Sequence, residues 1–193
     1  MIALEGGEAA GKSTQAVLLA ERLGAVLTRE PGGTAIGRRV RDLLLDPGTS
    51  ALDARAEALL VAADRAQHVR EVILPALEAG RDVVTDRYSA STLAYQGWGR
   101  GLEVEDLRCL SSWASFGVEP DVVVLLDVPA DVAAARLGEA GLDRFEAQDG
   151  GFHLRVAEGY RALAAADPHR WVVVDASQPP DAVAARVWEA CCP

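Results

Sequence analysis

The residues best suited to chemistry lie near the start of the chain. Gly6-Gly7-Glu8-Ala9-Ala10-Gly11-Lys12-Ser13 fits G-x-x-x-x-G-K-[ST], the spacing of a loop that cradles phosphates between a strand and a helix. Glycines let the backbone curl so that its N–H groups point inward, and the helix N-terminus that follows adds partial positive charge. In that setting Lys12 reaches the terminal phosphates, and the Ser13 hydroxyl can take one position on a magnesium ion. Lys12 is also the only lysine in a chain with 19 lysines and arginines together, which favours a chemical role over a solvated surface charge.

Three further polar clusters follow apolar runs: Arg29-Glu30, Asp86-Arg87-Tyr88 and Asp127. Asp86 can hold magnesium through water while the adjacent Arg87 binds a phosphate, a pairing that suits a metal–phosphate site. Asp127 is either a second aspartate of that type or a cap residue before Pro129. The segment from Gly138 to Gly151 is glycine-bounded and charged. It suits a mobile lid that keeps water from the phosphates, or equally a plain surface loop. Loop, lid and arginines together point to phosphoryl transfer to a small acceptor.

These residues must be positioned by alternating strands and helices. Apolar runs at Met1–Leu4, Ala25–Thr28, Asp82–Thr85, Asp121–Leu126 and Trp171–Val174 read as five short strands. Helical patterns fall between them at Thr14–Leu23, Ile36–Leu45 and Arg55–Glu78, the last carrying a possible kink at Pro75. More helices are expected from about Ala90, from Glu103, and over Asp131–Leu137, Phe152–Ala166 and Asp181–Ala190. Strands alternating with helices predict a three-layer α/β/α fold around a five-stranded parallel sheet. The chemistry should then gather at the carboxyl ends of the strands.

Bulk properties bound the rest. A chain of 193 residues predicts one domain, 1–193, with the lid segment at about 138–151. The formal net charge of −10 argues against a general nucleic-acid binder, so an anionic substrate must be drawn by local arginines. Three cysteines, Cys109, Cys191 and Cys192, are odd in number and form no C-x-x-C pair. With no signal peptide and no bilayer-length apolar run to read, the expectation is a reduced, cytoplasmic chain with no membrane partner.

At the level of longer motifs the chain resembles the thymidylate kinase family, bacterial type, over essentially its full length. The resemblance rests on Glu5-Gly6 leading into Gly11-Lys12-Ser13-Thr14-Gln15, on Thr28-Arg29-Glu30-Pro31-Gly32-Gly33-Thr34 and on Ala62-Ala63-Asp64-Arg65. It continues through Asp86-Arg87-Tyr88, Ala94-Tyr95-Gln96-Gly97 and Asp143-Arg144-Phe145-Glu146. It implies transfer of the γ-phosphoryl of ATP, with Mg2+, onto dTMP to give dTDP, by a homodimer packed through long helices.

The resemblance also implies roles. Gly6, Gly7, Glu8, Ala9, Ala10, Gly11, Lys12, Ser13 and Thr14 would bind ATP, and Glu8 would lie close to the acceptor's sugar and phosphate. Arg41 and Arg87 would hold the dTMP phosphate, with Asp86 beside the Mg2+ bound by Ser13. Glu30 belongs to the acceptor pocket, Arg65 would contact the thymine ring, and Thr92 would hydrogen-bond the base edge. Tyr95 would pack under the deoxyribose, where a 2′-hydroxyl would clash, and Gln96 would complete the pocket.

Two positions depart from the family pattern. Val61 stands where an aromatic ring often stacks on thymine. The arginine that stabilises the transferring phosphoryl is absent from Ala9 and Ala10 and from the lid tip, Gly138-Glu139-Ala140-Gly141. Arg144 is the preferred replacement, with Arg136 closer to the adenine or the outer phosphates and Arg155 a further lid-side candidate. Other readings remain open at this stage: a kinase for dUMP, CMP or an alcohol, a nucleotide switch, or a relative that binds without transfer.

Overall fold

The computed structural model describes residues 1–49, 51–138 and 142–192. Five strands, β1 (Ile2–Glu5), β2 (Val26–Arg29), β3 (Val83–Asp86), β4 (Val122–Asp127) and β5 (Trp171–Asp175), form one sheet in the order β2-β3-β1-β4-β5. Every pairing is parallel. The order reverses at β1: the chain leaves β1 toward β2 on one side and later crosses back to β4 on the other. That switch opens a crevice at the carboxyl edge, the place where such sheets bind ligands. Register puts Leu4 and Arg29 both opposite Asp86, so β1, β2 and β3 end side by side.

Both faces of the sheet are covered, which is why β4 reads as a continuous apolar run. On one face, Ala16, Leu19 and Ala20 of α1 (Lys12–Leu23) and Val183 and Val187 of the C-terminal helix pack on Leu4, Val84, Val124 and Leu126. On the other, Leu125 meets Leu93, Ala94 and Tyr95 together with Val156, Tyr160 and Leu163.

The remaining helices are α2 (Ala35–Leu45), α3 (Ala54–His68), α4 (Leu74–Glu78), α5 (Ser89–Thr92), α6 (Val104–Ala114), α7 (Ala130–Leu137), α8 (Gly150–Ala166) and α9 (Pro180–Cys191). The expected long helix from Arg55 is interrupted: a π-helical turn over Val69–Ile73 separates α3 from α4. Pro75 has no N–H for the Glu71 carbonyl, and the widened turn just upstream accommodates the missing bond. A second π-helical turn, Leu93–Gly99, continues α5 and carries Tyr95 and Gln96. α8 starts two residues earlier than its apolar pattern suggests, because the Asp149 side chain caps it by accepting from the Phe152 N–H at 2.7 Å. Of the expected lid tip at 138–141, residues 139–141 lie outside the described residues.

Candidate functional site

The glycine-rich loop leaves β1 and turns into α1. At Gly6, with φ +143°, a Cβ would sit 2.5 Å from the Leu126 carbonyl oxygen, so only glycine lets the loop pass this close to β4. Gly11, left-handed at φ 85°, directly precedes α1. Within the loop, Lys12 Nζ donates to the Gly7 carbonyl at 2.5 Å. Burial, then the nearby Arg87, lower the Lys12 ammonium to about 8, against the pull of Glu8, Asp86 and Glu5. A bound phosphate would replace that lost hydration with opposite charge.

Ser13 and Asp86 meet across the end of the sheet, with Oγ donating to Oδ2 at 2.5 Å. Two hard oxygens this close suit a small divalent cation that keeps its other positions for water and phosphate oxygens. Among the described residues no cluster of three or more carboxylate, histidine or cysteine side chains could form a complete protein cage. Asp127, the other aspartate considered, faces elsewhere: Arg161 donates to both of its oxygens at 2.9 Å.

Arg87 joins the glycine-rich loop to the space beside Tyr95. Its backbone is left-handed (φ 72°), a conformation that costs a non-glycine residue about 1–3 kcal/mol and persists where surroundings impose it. Its guanidinium donates to the Gly6 carbonyl at 2.9 Å, to Glu8 Oε1 at 2.8 Å and to the Tyr95 hydroxyl at 3.0 Å. The Tyr95 hydroxyl in turn donates to Glu8 at 2.5 Å. Burial alone would raise the Glu8 carboxyl, but Arg87 and Lys12 hold it down at about 2. Beneath them lies buried Glu5, which accepts from the Tyr88 N–H at 2.9 Å, the Ser91 hydroxyl at 2.6 Å and the Tyr160 hydroxyl at 3.0 Å. Burial raises this carboxyl despite those donors.

Beside the loop is a second cavity of about 90 Å³ whose walls include Glu8, Glu30, Arg41, Val61, Arg65, Arg87, Thr92, Tyr95 and Gln96. Its far wall is a buried polar lattice. Arg65 Nε donates to Glu30 Oε2 at 2.8 Å, and its other nitrogens donate to Thr92 Oγ1 at 3.0 Å and Ser111 Oγ at 3.3 Å. His68, fully buried, bridges Glu30 Oε1 at 2.9 Å and Thr28 Oγ1 at 2.6 Å. Asp64 accepts from the Gly32 N–H at 3.0 Å, and burial, then Glu30, push it up to about 6. Arg41 enters from α2 and donates to the Pro31 carbonyl at 3.1 Å.

The three lid-side arginines separate. Arg144 is buried, pairing with Glu57 at 2.7 Å and donating from Nε to the Leu44 carbonyl at 2.7 Å. The same Glu57 carboxylate takes Gln96 at 2.8 Å and Arg100 at 3.1 Å. Arg155 donates to the Gly99 carbonyl at 3.1 Å. Arg136 instead lines the phosphate cavity with Lys12, Ser13, Arg41 and Arg87, and donates to the Ala9 carbonyl at 3.3 Å and the Ser177 carbonyl at 3.5 Å.

Sequence reasoning gave no role to Glu5, Glu57 or Tyr160. For Glu5 a signal existed, an acidic residue closing an apolar strand. Glu57 and its partners lie 39 to 87 positions apart with no local pattern to join them.

A parallel α/β sheet with a phosphate-binding loop at its switch point, and an arginine-lined second cavity beside it, defines a P-loop phosphotransferase fold. The family model for thymidylate kinase matches residues 4–187. Thymidylate kinase of Desulfovibrio desulfuricans is 53% identical, the alignment covering 94% of this chain and 90% of the relative. That of a Synechococcus strain is 50% identical over 97% and 91%. The crystal structure of thymidylate kinase from Ehrlichia chaffeensis superposes with a TM-score of 0.82 at 32% identity, covering 98% of this chain and 96% of that one. The chain belongs to the thymidylate kinase family.

Proposed function

We propose that the chain transfers the γ-phosphoryl group of ATP to dTMP, giving dTDP, with Mg2+. The observation that carries this reading is Arg87, whose one guanidinium touches the phosphate loop at Gly6 and the acceptor cavity at Glu8 and Tyr95. A phosphate held there by Arg87 and Arg41 faces a γ-phosphoryl held by Lys12 and the loop N–H groups. The acceptor phosphate is already nucleophilic at neutral pH, so no general base is required. Its oxygen forms the new bond as the γ-phosphorus to β-oxygen bond breaks, and rate comes from positioning and charge.

Ser13 and Asp86 would hold Mg2+, which when bound neutralises charge on the donor phosphates. Arg65 and Thr92 offer a donor and a hydroxyl to the thymine edge, Tyr95 closes the sugar side, and Gln96 and Val61 complete the walls. Arg136 is the arginine we assign to the transferring phosphoryl, since it lines the phosphate cavity while Arg144 is committed to Glu57. Its contact with Ser177 also ties it to the segment after β5, where the adenine would lie. Exposed Leu59 on α3 and Trp113 and Phe116 at the end of α6 favour a homodimer built through these helices. Among the described residues no helix is long and apolar enough to cross a membrane.

The test is ATP-to-ADP conversion with Mg2+, offering dTMP, dUMP, dCMP, dAMP, dGMP or no acceptor in parallel. Turnover confined to dTMP is expected. Preference for another monophosphate would replace the acceptor assignment, and nucleotide binding without transfer would end the enzyme reading.

A further inference from the structure

An enzyme with a net charge of −10 must bring together anionic reactants, and its overall field repels them. The charge is not evenly spread. Beside the phosphate cavity, an open groove is lined by Arg29, Arg38, Arg39 and Arg41, with Asp42 its only acidic lining residue. None of the four arginines makes an ion pair among the described residues, whereas Arg65, Arg87, Arg100, Arg144, Arg161 and Arg170 all do. Arg38 and Arg39 are exposed on the first turns of α2. Arg29 and Arg41 line both the groove and the phosphate cavity, so the two spaces adjoin. Burial, then Arg29 and Arg87, lower the Arg41 guanidinium against the weaker pull of Asp143 and Asp86, so the neighbouring cations outweigh the neighbouring carboxylates.

Neither the assigned acceptor contacts nor the phosphate loop uses Arg29, Arg38 or Arg39. We propose that these three form an outer anion-capture groove, which draws the phosphate of the incoming nucleoside monophosphate off an acidic surface and delivers it to Arg41 and Arg87. The inference rests on the acceptor site proposed above. Clefts lined by one sign of charge focus the field and raise local ligand concentration and association rate by 10–10³. Exposed guanidinium groups with no ion pair among the described residues suit a transient contact, because the phosphate must leave them to reach the site.

The experiment compares wild type with Arg38→Gln/Arg39→Gln and Arg38→Glu/Arg39→Glu. Each protein's kcat/KM for dTMP is measured at about 0.01 M and about 1 M ionic strength, where charges are felt over ~30 Å and ~3 Å respectively. Thymidine, which has the same base and sugar without the phosphate, serves as a competitive inhibitor in every case. At low salt the charge-reversed variant should lose roughly tenfold in kcat/KM with kcat retained, and the neutral variant should lose less. At high salt the three proteins should converge, and thymidine inhibition should be equal throughout. Equal kcat/KM at low salt would overturn the inference. So would a loss that persists at high salt or weakens thymidine equally, because that would mark a deformed pocket. Should wild type prefer a different monophosphate, the acceptor assignment falls while the same salt series on that monophosphate still decides the groove.

Discussion

The two cavities that meet at Arg87 are built in opposite ways. On the acceptor side the chemistry is enclosed: Glu30, Arg65, His68 and Thr92 are nearly or fully buried, and each is hydrogen-bonded to another member of the lattice. On the donor side, Arg136 is exposed and reaches its carbonyl partners only at 3.3 and 3.5 Å, from a helix with no fully buried residue. A lattice of buried polar groups holds one geometry because each lost partner leaves a desolvated group unpaired. The enclosed wall therefore holds one geometry by itself, whereas Arg136 is held only by two long contacts to backbone carbonyls.

That contrast is sharpest between two arginines eight positions apart. Arg136→Ala should lower kcat by about 10³ or more, in the range for a transition-state arginine, and leave the melting temperature unchanged. Arg144→Ala should do the reverse: removing one partner of a buried ion pair costs about 3–5 kcal/mol, seen as a large drop in melting temperature. Glu57→Ala should be at least as damaging, because it leaves both Arg100 and Arg144 without their carboxylate. Steady-state kinetics and thermal unfolding on the same preparations separate the two outcomes. A kcat loss confined to the Arg144 variant would reverse the assignment.

The enclosed side also carries a titration. The Asp64 carboxyl is raised from 3.8 to about 6 by burial and by Glu30, so the folded state binds its proton more tightly than the unfolded chain. Its contribution to stability is then fully present below about pH 4 and is lost as pH rises through about 6. The total is on the order of 2–3 kcal/mol, from ~1.4 kcal/mol for each unit of pKa. Asp64→Asn, which keeps an acceptor for the Gly32 N–H, should remove this slope. Chemical denaturation between pH 4.5 and 7 should show wild type losing stability relative to the variant as pH rises. Parallel pH profiles for the two proteins would mean Asp64 stays ionised throughout.

The same division explains what could be read from the chain alone. The strands, the phosphate loop and Asp86-Arg87 were legible because each is a local pattern whose partners lie within a few residues or at a strand end. Arg41, Arg65, Thr92 and Tyr95 reach one cavity from four separate segments, and only the longer family motifs tied them together. The ion pair of Arg144 was not legible: the arginine of a charged, glycine-bounded segment looks free to meet a phosphate. Its commitment depends on Glu57, 87 positions earlier in the chain and without any exposed surface. The π-helical turn at Val69–Ile73 was likewise hidden. Pro75 announced a disturbance, but whether a helix kinks or widens depends on packing against the sheet.

The smallest effect expected tests whether the enclosed wall is complete without an aromatic ring. Val61 lines the acceptor cavity beside Arg65 and Tyr95 and is itself only partly buried. An offset-stacked aromatic pair is worth about 0.5–1.5 kcal/mol beyond its buried area. Val61→Phe should therefore lower KM for dTMP by about two- to tenfold with kcat nearly constant, since a ring stacked on the base contacts ground and transition states alike. The gain requires room, and the cavity is about 90 Å³ before the valine is enlarged. A raised KM with a lowered melting temperature would show that Arg65 and Thr92 already fix the base where a ring would clash, and that the wall was shaped around valine. Improved binding of dTMP but not of dUMP would place the ring against the thymine methyl, and equal improvement would place it against the pyrimidine face common to both.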